Sequence, residues 1–479
     1  MSGPALATAP SGADLTPEIA RRRIDELCDP GSFQPLRTAV RSHRSRRSQP
    51  GDGVLGGSAT IDGRPVFLYA QDPSFLGGSL GAEQARSIIR LLASARQSGV
   101  PAIGLIHSGG ARLDDGAAAL EGYGGIFVEH VRSSGWIPQV SVIYGTSAGG
   151  GCYSPALTDL VVICAEASMF LTGPKVVAEV LGERVDREQL GGSAVQAANG
   201  VAQLVAADEL AAAAAVRAFL SYLPANSEAE PPVFSPAPPS SGDPGAFVPG
   251  SPRRVYDVLD VIGALADEDS VLELAPRWAR NLVVALARLD GRPVGIVANQ
   301  PRHLAGVLNS AGAEKGAWFV ELCDRFGLPL VVLEDTPGFM PGSREEGRGV
   351  IRHGAKLVRA FAGATVPRIT VILRKGFGGA FITMNSLALG ADLVLAWPGA
   401  EIGIMASTQA VGITARREIE AAADPEAERD RRAAAYAAEH TAAAVAAARG
   451  TVDEVIEPEA TRGRLIAALV TLGTRRRTR

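Results

Sequence analysis

Several features that mark common protein classes are missing from this sequence. The four cysteines, Cys28, Cys152, Cys164 and Cys323, form no CxxC pair, which excludes a zinc ribbon. Cys152 and Cys164 lie in or beside apolar stretches, which is typical of small core residues. No HExxH string occurs either, so we expect no bound metal. The chain has no apolar run of about 18 residues and no charged-then-apolar leader, which predicts a cytoplasmic protein without a membrane partner. The formal net charge is −4, which gives no reason to expect nucleic acid as a partner.

An internal duplication is the most informative feature that the sequence does have. The string 62–66, Asp-Gly-Arg-Pro-Val, recurs at 290–294, an offset of 228 residues. Four further pairs of strings repeat at offsets between 228 and 233: 99–101 with 327–329, 137–138 with 366–367, 149–150 with 378–379, and 159–162 with 392–395. Such steady spacing predicts two copies of one fold.

Strand and helix patterns alternate in each copy. The predicted strands are 66–70, 102–106, 294–298 and 330–333, and the predicted helices are 82–98 and 313–326. The runs 102–106 and 330–333 are apolar throughout, as expected for strands that are buried on both faces. The alternation predicts an α/β fold with mainly parallel strands.

Composition divides the chain into four parts. Residues 1–15 are predicted to be disordered, 16–224 to form a first domain, 225–252 to be a linker rich in Pro, Ser and Gly, and 253–479 to form a second domain. The basic run 41–47 is interpreted as solvated surface. The stretch 416–449, rich in Ala, Glu and Arg, is strongly helix-prone, and either a surface helix or a helix that packs on a partner fits it.

Glycine-rich turns follow two strands in each copy. They occupy 107–112 and 145–151 in the first copy, and 335–339 and 374–380 in the second. Glycines between a strand and a helix leave backbone N–H groups bare, which favours an oxyanion hole; a phosphate cradle is the rival interpretation, although neither 145–151 nor 374–380 matches the Walker pattern or GxGxxG. His107 is a weak candidate for a base because its counterpart is Asp335. Arg112 could meet either a ligand phosphate or a carboxylate of the protein.

A set of strings in this chain resembles one known family. The strings are 77–81, 108–112, 148–150, 153–155, 298–301, 337–339, 351–356 and 374–380. They are similar to the carboxyltransferase β subunits of acetyl- and propionyl-CoA carboxylases, in the actinobacterial type that joins two crotonase-like domains in one polypeptide. The likeness runs from about Leu15 to Leu472, and Ile351-Arg352-His353-Gly354-Ala355-Lys356 is its most specific string.

This resemblance implies the roles of individual residues. Gly149, Gly150 and Gly151 would hold the oxygen of the acyl-CoA, while Gly379 and Ala380 would hold the oxygen of biotin. The substrate-binding residues that it implies are Ser108, Gly109, Gly110, Ala111, Arg112, Gly338, Phe339 and Ile382. No side-chain base is needed, because carboxybiotin provides both the carbon dioxide and the base. An Ile at 382 resembles members that accept acetyl-CoA well.

The resemblance also implies partners. Biotin would arrive on a separate biotin carboxylase and carrier subunit, and the chain would form a homohexamer, a trimer of dimers. Acetyl-CoA or propionyl-CoA would be converted to malonyl-CoA or methylmalonyl-CoA. Three alternatives stay open: a biotin-dependent acyl-CoA decarboxylase subunit, a biotin-independent crotonase-type hydratase or thioesterase, and a non-catalytic assembly protein.

Four departures from the family pattern predict a working enzyme with a specialised substrate or partner. Gln196 stands where the family usually has His. The usual Met-Gly-Pro-Glu-Gly is replaced by residues 405–409, the usual Asn-Pro-Tyr by residues 442–444, and the usual Glu-Tyr-Gly-Gly by residues 346–349.

Overall fold

Two sheets with the same strand order organise the chain. The computed structural model describes residues 17–42, 48–251 and 254–473, and it divides between Leu220 and Ser221 into two units. The predicted disordered segment 1–15 lies outside the described residues, and so do residues 43–47 of the basic run. Each unit combines a mainly parallel sheet with helices, so the predicted α/β class is confirmed.

The first unit contains an eight-stranded sheet. Its strands are β1 Gln34–Leu36, β2 Val54–Ile61, β3 Arg64–Gln71, β4 Ala102–Ser108, β5 Gln139–Ala148, β6 Leu160–Cys164, β7 Ser168–Phe170 and β8 Leu204–Ala206. They are ordered β1-β2-β3-β4-β5-β6-β8, with β7 paired to the end of β5. The pairs from β3 onward are parallel.

The second unit contains a sheet of the same design. Its strands are β9 Leu272–Leu274, β10 Leu282–Leu289, β11 Arg292–Asn299, β12 Leu330–Thr336, β13 Arg368–Phe377, β14 Leu393–Ala396, β15 Glu401–Gly403 and β16 Glu454–Val455. Their order is β9-β10-β11-β12-β13-β14-β16, with β15 paired to the end of β13.

Helices connect the strands in both units. The helices of the first unit are α1 Glu18–Leu27, α2 Ala82–Ser98, α3 Ala117–Ser133, α4 Tyr153–Ala156, α5 Pro174–Leu181, α6 Arg187–Gly191, α7 Ser193–Ala198 and α8 Glu209–Leu220. Those of the second unit are α9 Val258–Leu265, α10 Ser310–Phe326, α11 Ser343–Gly347, α12 Val350–Gly363, α13 Gly378–Thr383, α14 Ser407–Thr414, α15 Arg416–Glu420, α16 Pro425–Tyr436, α17 Ala443–Ala448 and α18 Thr461–Leu472. In the described ranges, none of them is long and apolar enough to cross a bilayer.

The duplication is visible element by element. Strands β2, β3 and β4 and helix α2 recur as β10, β11, β12 and α10, each with both ends displaced by 228 residues. Helices α2 and α10 end at equivalent glycines, Gly99 with φ 63° and Gly327 with φ 76°. Only a residue that tolerates the left-handed conformation can end a helix in this way.

The segment predicted as a linker lies along the second unit. The N–H of Glu268 donates to the carbonyl oxygen of Pro238 at 2.9 Å. The N–H of Phe234 donates to the carbonyl oxygen of Gly291 at 2.9 Å. Its backbone is therefore hydrogen-bonded at several points, although no long helix or strand forms in it.

Strand β12 carries an acidic side chain into the core of the second unit. All seven residues of β12 are buried, and neither carboxyl oxygen of Glu334 has a hydrogen-bond partner in the described part of the chain. Burial raises the pKa of Glu334 well above its ordinary value, and the neighbouring Asp335 adds to the shift. Glu334 is therefore expected to be protonated in the folded protein.

This burial predicts a pH-dependent cost in stability. In the unfolded chain Glu334 loses its proton above about pH 4.3, while in the folded chain it keeps the proton. The free energy of unfolding therefore falls as the pH rises above about 4.3. Glu334→Gln removes the titration. We compare the midpoint of thermal unfolding of Glu334→Gln with that of the unchanged protein. The difference between the two midpoints, in favour of the variant, is expected to grow by a few degrees from about pH 5 to about pH 8.

Differential scanning fluorimetry across this range measures the effect, with the exposed Glu457→Gln as the control. A difference that stays constant with pH would mean that Glu334 is ionised in the folded state.

Candidate active site

The first glycine turn stands at the end of β5. Gly149 opens a short 3₁₀ turn, Gly149–Cys152, that leads directly into α4, and its φ is 62°. A side chain would be strained in this conformation, so glycine is needed where the strand turns into the helix. The first N–H groups of such a turn have no partner inside it, and among the described residues those of Gly149, Gly150 and Gly151 donate to no other element. The turn therefore presents backbone donors.

The ring of Tyr123 in α3 forms one side of this turn. A β-carbon at Gly150 would lie 3.0 Å from the ring, and one at Gly151 would lie 3.3 Å from the hydroxyl oxygen. Burial raises the pKa of Tyr123 to about 12, so the hydroxyl stays protonated. The ring stacks on Phe127, which meets Tyr153 edge-on. Sequence reasoning missed Tyr123, whose one signal is an aromatic residue in a glycine-rich stretch of helix.

The predicted substrate-binding loop 108–112 runs beside the start of α2. The N–H of Leu80 donates to the carbonyl oxygen of Gly110 at 2.8 Å, and the N–H of Gly109 donates to that of Gly77 at 3.0 Å. Ala111 forms an isolated parallel bridge with Leu80. The loop is thus held as an extra strand-like segment next to the C-terminal end of β4.

Side chains of this loop point into the unit. Arg112 donates to the Asp52 carboxylate at 2.6 Å and to the carbonyl oxygens of Asp52 and Ser79. Arg112 is 4% exposed and Asp52 is fully buried. Ser108 is buried too, and its hydroxyl accepts the N–H of Gly110 at 3.3 Å. From the sequence, Arg112 could meet either a ligand phosphate or a carboxylate of the protein, and the structure shows the carboxylate of Asp52. The guanidinium therefore supports the loop from inside the unit and does not face a ligand.

His107 packs against the strand that precedes the first turn. A β-carbon at Gly145 would lie 2.3 Å from the imidazole ring, so the ring occupies the space where a side chain would stand. Burial lowers the pKa of His107, and the charge of Arg23 lowers it further, which favours the neutral imidazole. The ring is therefore held flat on β5.

Residues 145–149 have the GxSxG spacing of a nucleophile elbow, with Ser147 at the position of the nucleophile. In that motif the serine lies in a sharp, exposed turn between strand and helix. Ser147 lies inside β5, is fully buried, and makes no hydrogen bond to a histidine among the described residues. It does not have the geometry of a serine nucleophile.

The second glycine turn stands at the end of β13. Helix α13 begins at Gly378, which has φ 59°. Gly379 and the fully buried Ala380 belong to the first turn of α13, and in the described ranges their N–H groups donate to no other element. A β-carbon at Gly379 would meet nothing nearer than the Phe339 ring at 3.8 Å. The space in front of Gly379 is therefore open.

Phe339 is held between two glycines. Its ring lies 3.2 Å from the β-carbon position of Gly354 in α12 and 3.8 Å from that of Gly379. Its loop repeats the bridge of the first unit, since the N–H of Leu308 donates to the carbonyl oxygen of Gly338 at 3.0 Å. Gly338 has φ 136° and its counterpart Gly110 has φ 103°, and both therefore require glycine.

The most specific string of the sequence, 351–356, clamps α12 onto α10. His353 and Lys356 both contact the Glu314 carboxylate of α10. This clamp holds the helix that carries Gly354, and with it the position of Phe339.

The counterpart of His107 forms a buried polar cluster in the second unit. Asp335 accepts hydrogen bonds from the Tyr256 hydroxyl at 3.0 Å and from the Arg374 Nε at 3.1 Å. Burial raises the pKa of Asp335 although Arg374 opposes the shift. Arg374 stands where the first unit has Gly145. The first unit packs the His107 ring against Gly145, and the second unit has an ion pair between Asp335 and Arg374 at the same place.

Ile382 lies beside the second turn. It is 49% exposed and lines a cavity of about 600 Å³ together with Gly378 and Gly379. Because its side chain is half-exposed, Ile382 is not a core contact of α13. The prediction that Ile382 contacts substrate remains a proposal.

Gln196, the departure in the first unit, is built into the fold. Its amide donates to the carbonyl oxygen of Met169 in β7 at 2.6 Å and accepts from Asn199 at 3.1 Å. It therefore braces β7, the short strand paired with the end of β5.

These two turns can each stabilise an oxyanion. Backbone N–H groups at the start of a helix, with its positive end behind them, favour developing negative charge. Within the described parts of the chain, no group of three or more His, Cys, Asp or Glu side chains is placed to hold a metal ion.

Comparisons with known proteins agree with this geometry. The sequence profile described as "Carboxyl transferase domain" matches residues 16–479. The carboxyltransferase subunit of propionyl-CoA carboxylase from Haloferax mediterranei is 45% identical over 469 residues, covering 96% of this chain and 91% of that protein. Methylmalonyl-CoA decarboxylase subunit alpha from Propionigenium modestum is 40% identical over 460 residues, covering 94% and 89%.

A solved structure shows the same fold. The transcarboxylase 12S crystal structure, a hexamer assembly with methylmalonyl-coenzyme A and methylmalonic acid bound, matches with a TM-score of 0.91 and 43% sequence identity, covering 96% of this chain and 90% of that one. Family profile, relatives and fold together show that the chain belongs to the carboxyl transferase domain family and is a carboxyltransferase.

Proposed function

We propose that the chain is the carboxyltransferase subunit of a biotin-dependent acyl-CoA carboxylase, which transfers a carboxyl group from carboxybiotin to the α-carbon of acetyl-CoA or propionyl-CoA. The observation that carries this proposal is the pair of equivalent turns opened by Gly149 and Gly378, with φ 62° and 59°. Two oxyanions must be stabilised in such a transfer, and the duplicated fold offers one turn for each.

On the acyl-CoA side, the N–H groups of Gly150 and Gly151 donate to the thioester oxygen, which gains negative charge as the α-proton leaves. Each donor of this type contributes roughly 3 kcal/mol to transition-state stabilisation in comparable sites. The Tyr123 ring, 3.0 Å from the β-carbon position of Gly150, holds the turn in place. The loop 108–112 and its Arg112–Asp52 pair support the same end of the sheet.

On the biotin side, the space in front of Gly379 fits a flat ring, because the nearest side chain to its β-carbon position is Phe339 at 3.8 Å. The N–H groups of Gly379 and Ala380 would hold the ureido oxygen. Carboxybiotin supplies the carbon dioxide and the base of the reaction when it is bound. That chemistry suits this chain, since neither the turn 149–151 nor the turn 378–380 contains an acid or a histidine.

A separate subunit brings the biotin in this proposal. None of the four lysines lies beside a methionine, so the chain has no biotin attachment site of the Ala-Met-Lys-Met type. A homohexamer is the proposed assembly, supported by the likeness to the transcarboxylase 12S hexamer.

A second candidate is an acyl-CoA decarboxylase subunit, which would run the same half-reaction in the opposite direction. The likeness to methylmalonyl-CoA decarboxylase subunit alpha, at 40% identity, favours it. The two turns serve both directions equally, so the partner subunits decide between them.

Gly379→Val tests the oxyanion assignment. The β-carbon of the new side chain has room, because it meets nothing nearer than 3.8 Å, and the branched side chain blocks the approach of a ligand to the N–H groups. We expect the rate to fall on the order of a hundredfold or more with the unfolding midpoint unchanged. His107→Ala is the comparison and should cost much less, because no side-chain base is used.

Steady-state carboxylation measures both variants. The mechanism is wrong if folded His107→Ala is inactive while Gly379→Val keeps its rate.

Dependence on a carrier tests the division of labour. The purified chain should be unbiotinylated and inactive with ATP, bicarbonate and acyl-CoA, because the residues that would attach biotin are absent. Adding a biotin carboxylase and carrier subunit should restore carboxylation of acetyl-CoA or propionyl-CoA. Capture of the isolated chain by streptavidin would contradict the proposal, and activity only with a decarboxylating membrane partner would favour the second candidate.

Ile382→Asp tests the acyl pocket. The unchanged enzyme is expected to use acetyl-CoA and propionyl-CoA within roughly a factor of ten, since one methylene in an apolar pocket contributes only about 1–3 kcal/mol. The substitution should change the ratio of the two kcat/KM values and leave the oligomer intact, as measured by kinetics and size-exclusion chromatography. An unchanged ratio in a folded variant means that Ile382 does not line the pocket.

A further inference from the structure

The helix-prone stretch that follows β15 contributes an aromatic pair to the cavity beside the second glycine turn. We propose that Tyr436 and His440 form the wall against which the ureido ring system of the carboxyl donor binds, opposite Gly378 and Gly379. This inference rests on the proposed function, and it assigns a role to a segment that the chemistry of the two turns leaves unexplained.

The cavity of about 600 Å³ is bounded by these two groups of residues. Gly378 and Gly379 line it on the side of the turn, and Tyr436 and His440 line it from the helical segment. Ile382, which is 49% exposed, and Ile404, which is 85% exposed, also line the cavity and supply apolar surface. A concave site with apolar walls and a few polar groups is typical of a binding site for a small organic group.

The helical segment is fastened to the turn through β15. The N–H of Ala443 donates to the carbonyl oxygen of Ala400 at 3.0 Å, Ala442 bridges Glu401, and the Thr441 hydroxyl donates to the Glu401 carboxylate at 3.3 Å. Strand β15 in turn pairs in parallel with the last three residues of β13. Because β13 leads into Gly378, this hydrogen-bonded path fixes His440 relative to the turn.

The pair itself suits a flat, uncharged ring. The centroids of Tyr436 and His440 are 4.5 Å apart with an angle of 54° between the rings, and both side chains are half-buried. Such rings contact a planar group through their faces, and an imidazole nitrogen can hydrogen-bond a ureido N–H or oxygen. His440 lies in a π-helical turn, Ala437–Thr441, a feature that is often found at functional sites.

Departures from the family pattern border this same cavity. The string 405–409 follows Ile404 directly, and the string 442–444 follows Thr441, and both of these neighbours line the cavity. The glycine turn itself is unchanged. The chain therefore departs from the family pattern directly beside the cavity and not in the glycine turn, as expected if it receives its carboxyl donor in its own way.

His440→Ala and His440→Phe test the wall, with Arg429→Ala as the control because Arg429 is exposed on α16 and does not line the cavity. The assay follows transfer from malonyl-CoA to free d-biotin: malonyl-CoA loses its carboxyl group and becomes acetyl-CoA by gaining the proton that the biotin nitrogen releases. His440→Ala should raise the KM for d-biotin about three- to tenfold, the contribution of an aromatic contact. The kcat and the KM for malonyl-CoA should stay unchanged.

His440→Phe, which keeps the ring face, should raise the KM for d-biotin less than His440→Ala does. Equilibrium dialysis with radiolabelled d-biotin measures binding without turnover. The dissociation constant for d-biotin should rise by the same factor as the KM.

Two results would overturn the inference. One is an unchanged KM and dissociation constant for d-biotin in folded, correctly assembled His440→Ala; the other is an increase in the KM for malonyl-CoA alone, which would place the pair on the acyl-CoA side. An unchanged protein that transfers no carboxyl group to d-biotin would instead contradict the proposed function itself.

Discussion

The left-handed backbone of Gly149 and Gly378 is the constraint on which the whole site depends. Each residue stands where a central parallel strand, β5 or β13, ends and a helical turn begins. Only glycine adopts this conformation without strain, and adopting it leaves the N–H groups that follow without partners among the residues that the structure describes. The sheet holds the turns in place, because short strands β7 and β15 pair with the ends of β5 and β13.

Duplication preserved this backbone while the side chains behind it diverged. In the first unit the His107 ring lies on Gly145, and at the equivalent place in the second unit Asp335 pairs with Arg374. Ile106 in β4 corresponds to Glu334 in β12, whose pKa is raised by burial. The two turns therefore share their donors but differ in polarity and shape behind them, which suits two different oxyanions of one reaction.

Much of the architecture could be read from the sequence because it depends on local patterns. The apolar runs became β4 and β12, and the spacing of apolar residues placed α2 to the residue. Tyr123, by contrast, reaches Gly150 from a helix some 27 positions earlier in the chain, and no local pattern marks that contact. Arg112 could be assigned to Asp52 only once folding had brought positions 60 residues apart into contact.

By itself, the sequence determined that there are two copies of an α/β fold, where their glycine turns lie, and which family they resemble, since repeats, periodicity and motif strings are properties of the chain order. The tertiary structure alone decided which groups surround each turn. It placed Ser147 inside a strand despite its motif spacing, turned Arg112 inward, left Ile382 half-exposed, and brought Tyr436 and His440 to the cavity beside Gly379. The reason is that burial and contact depend on packing between elements distant in sequence, and one chain read in order does not contain that information explicitly.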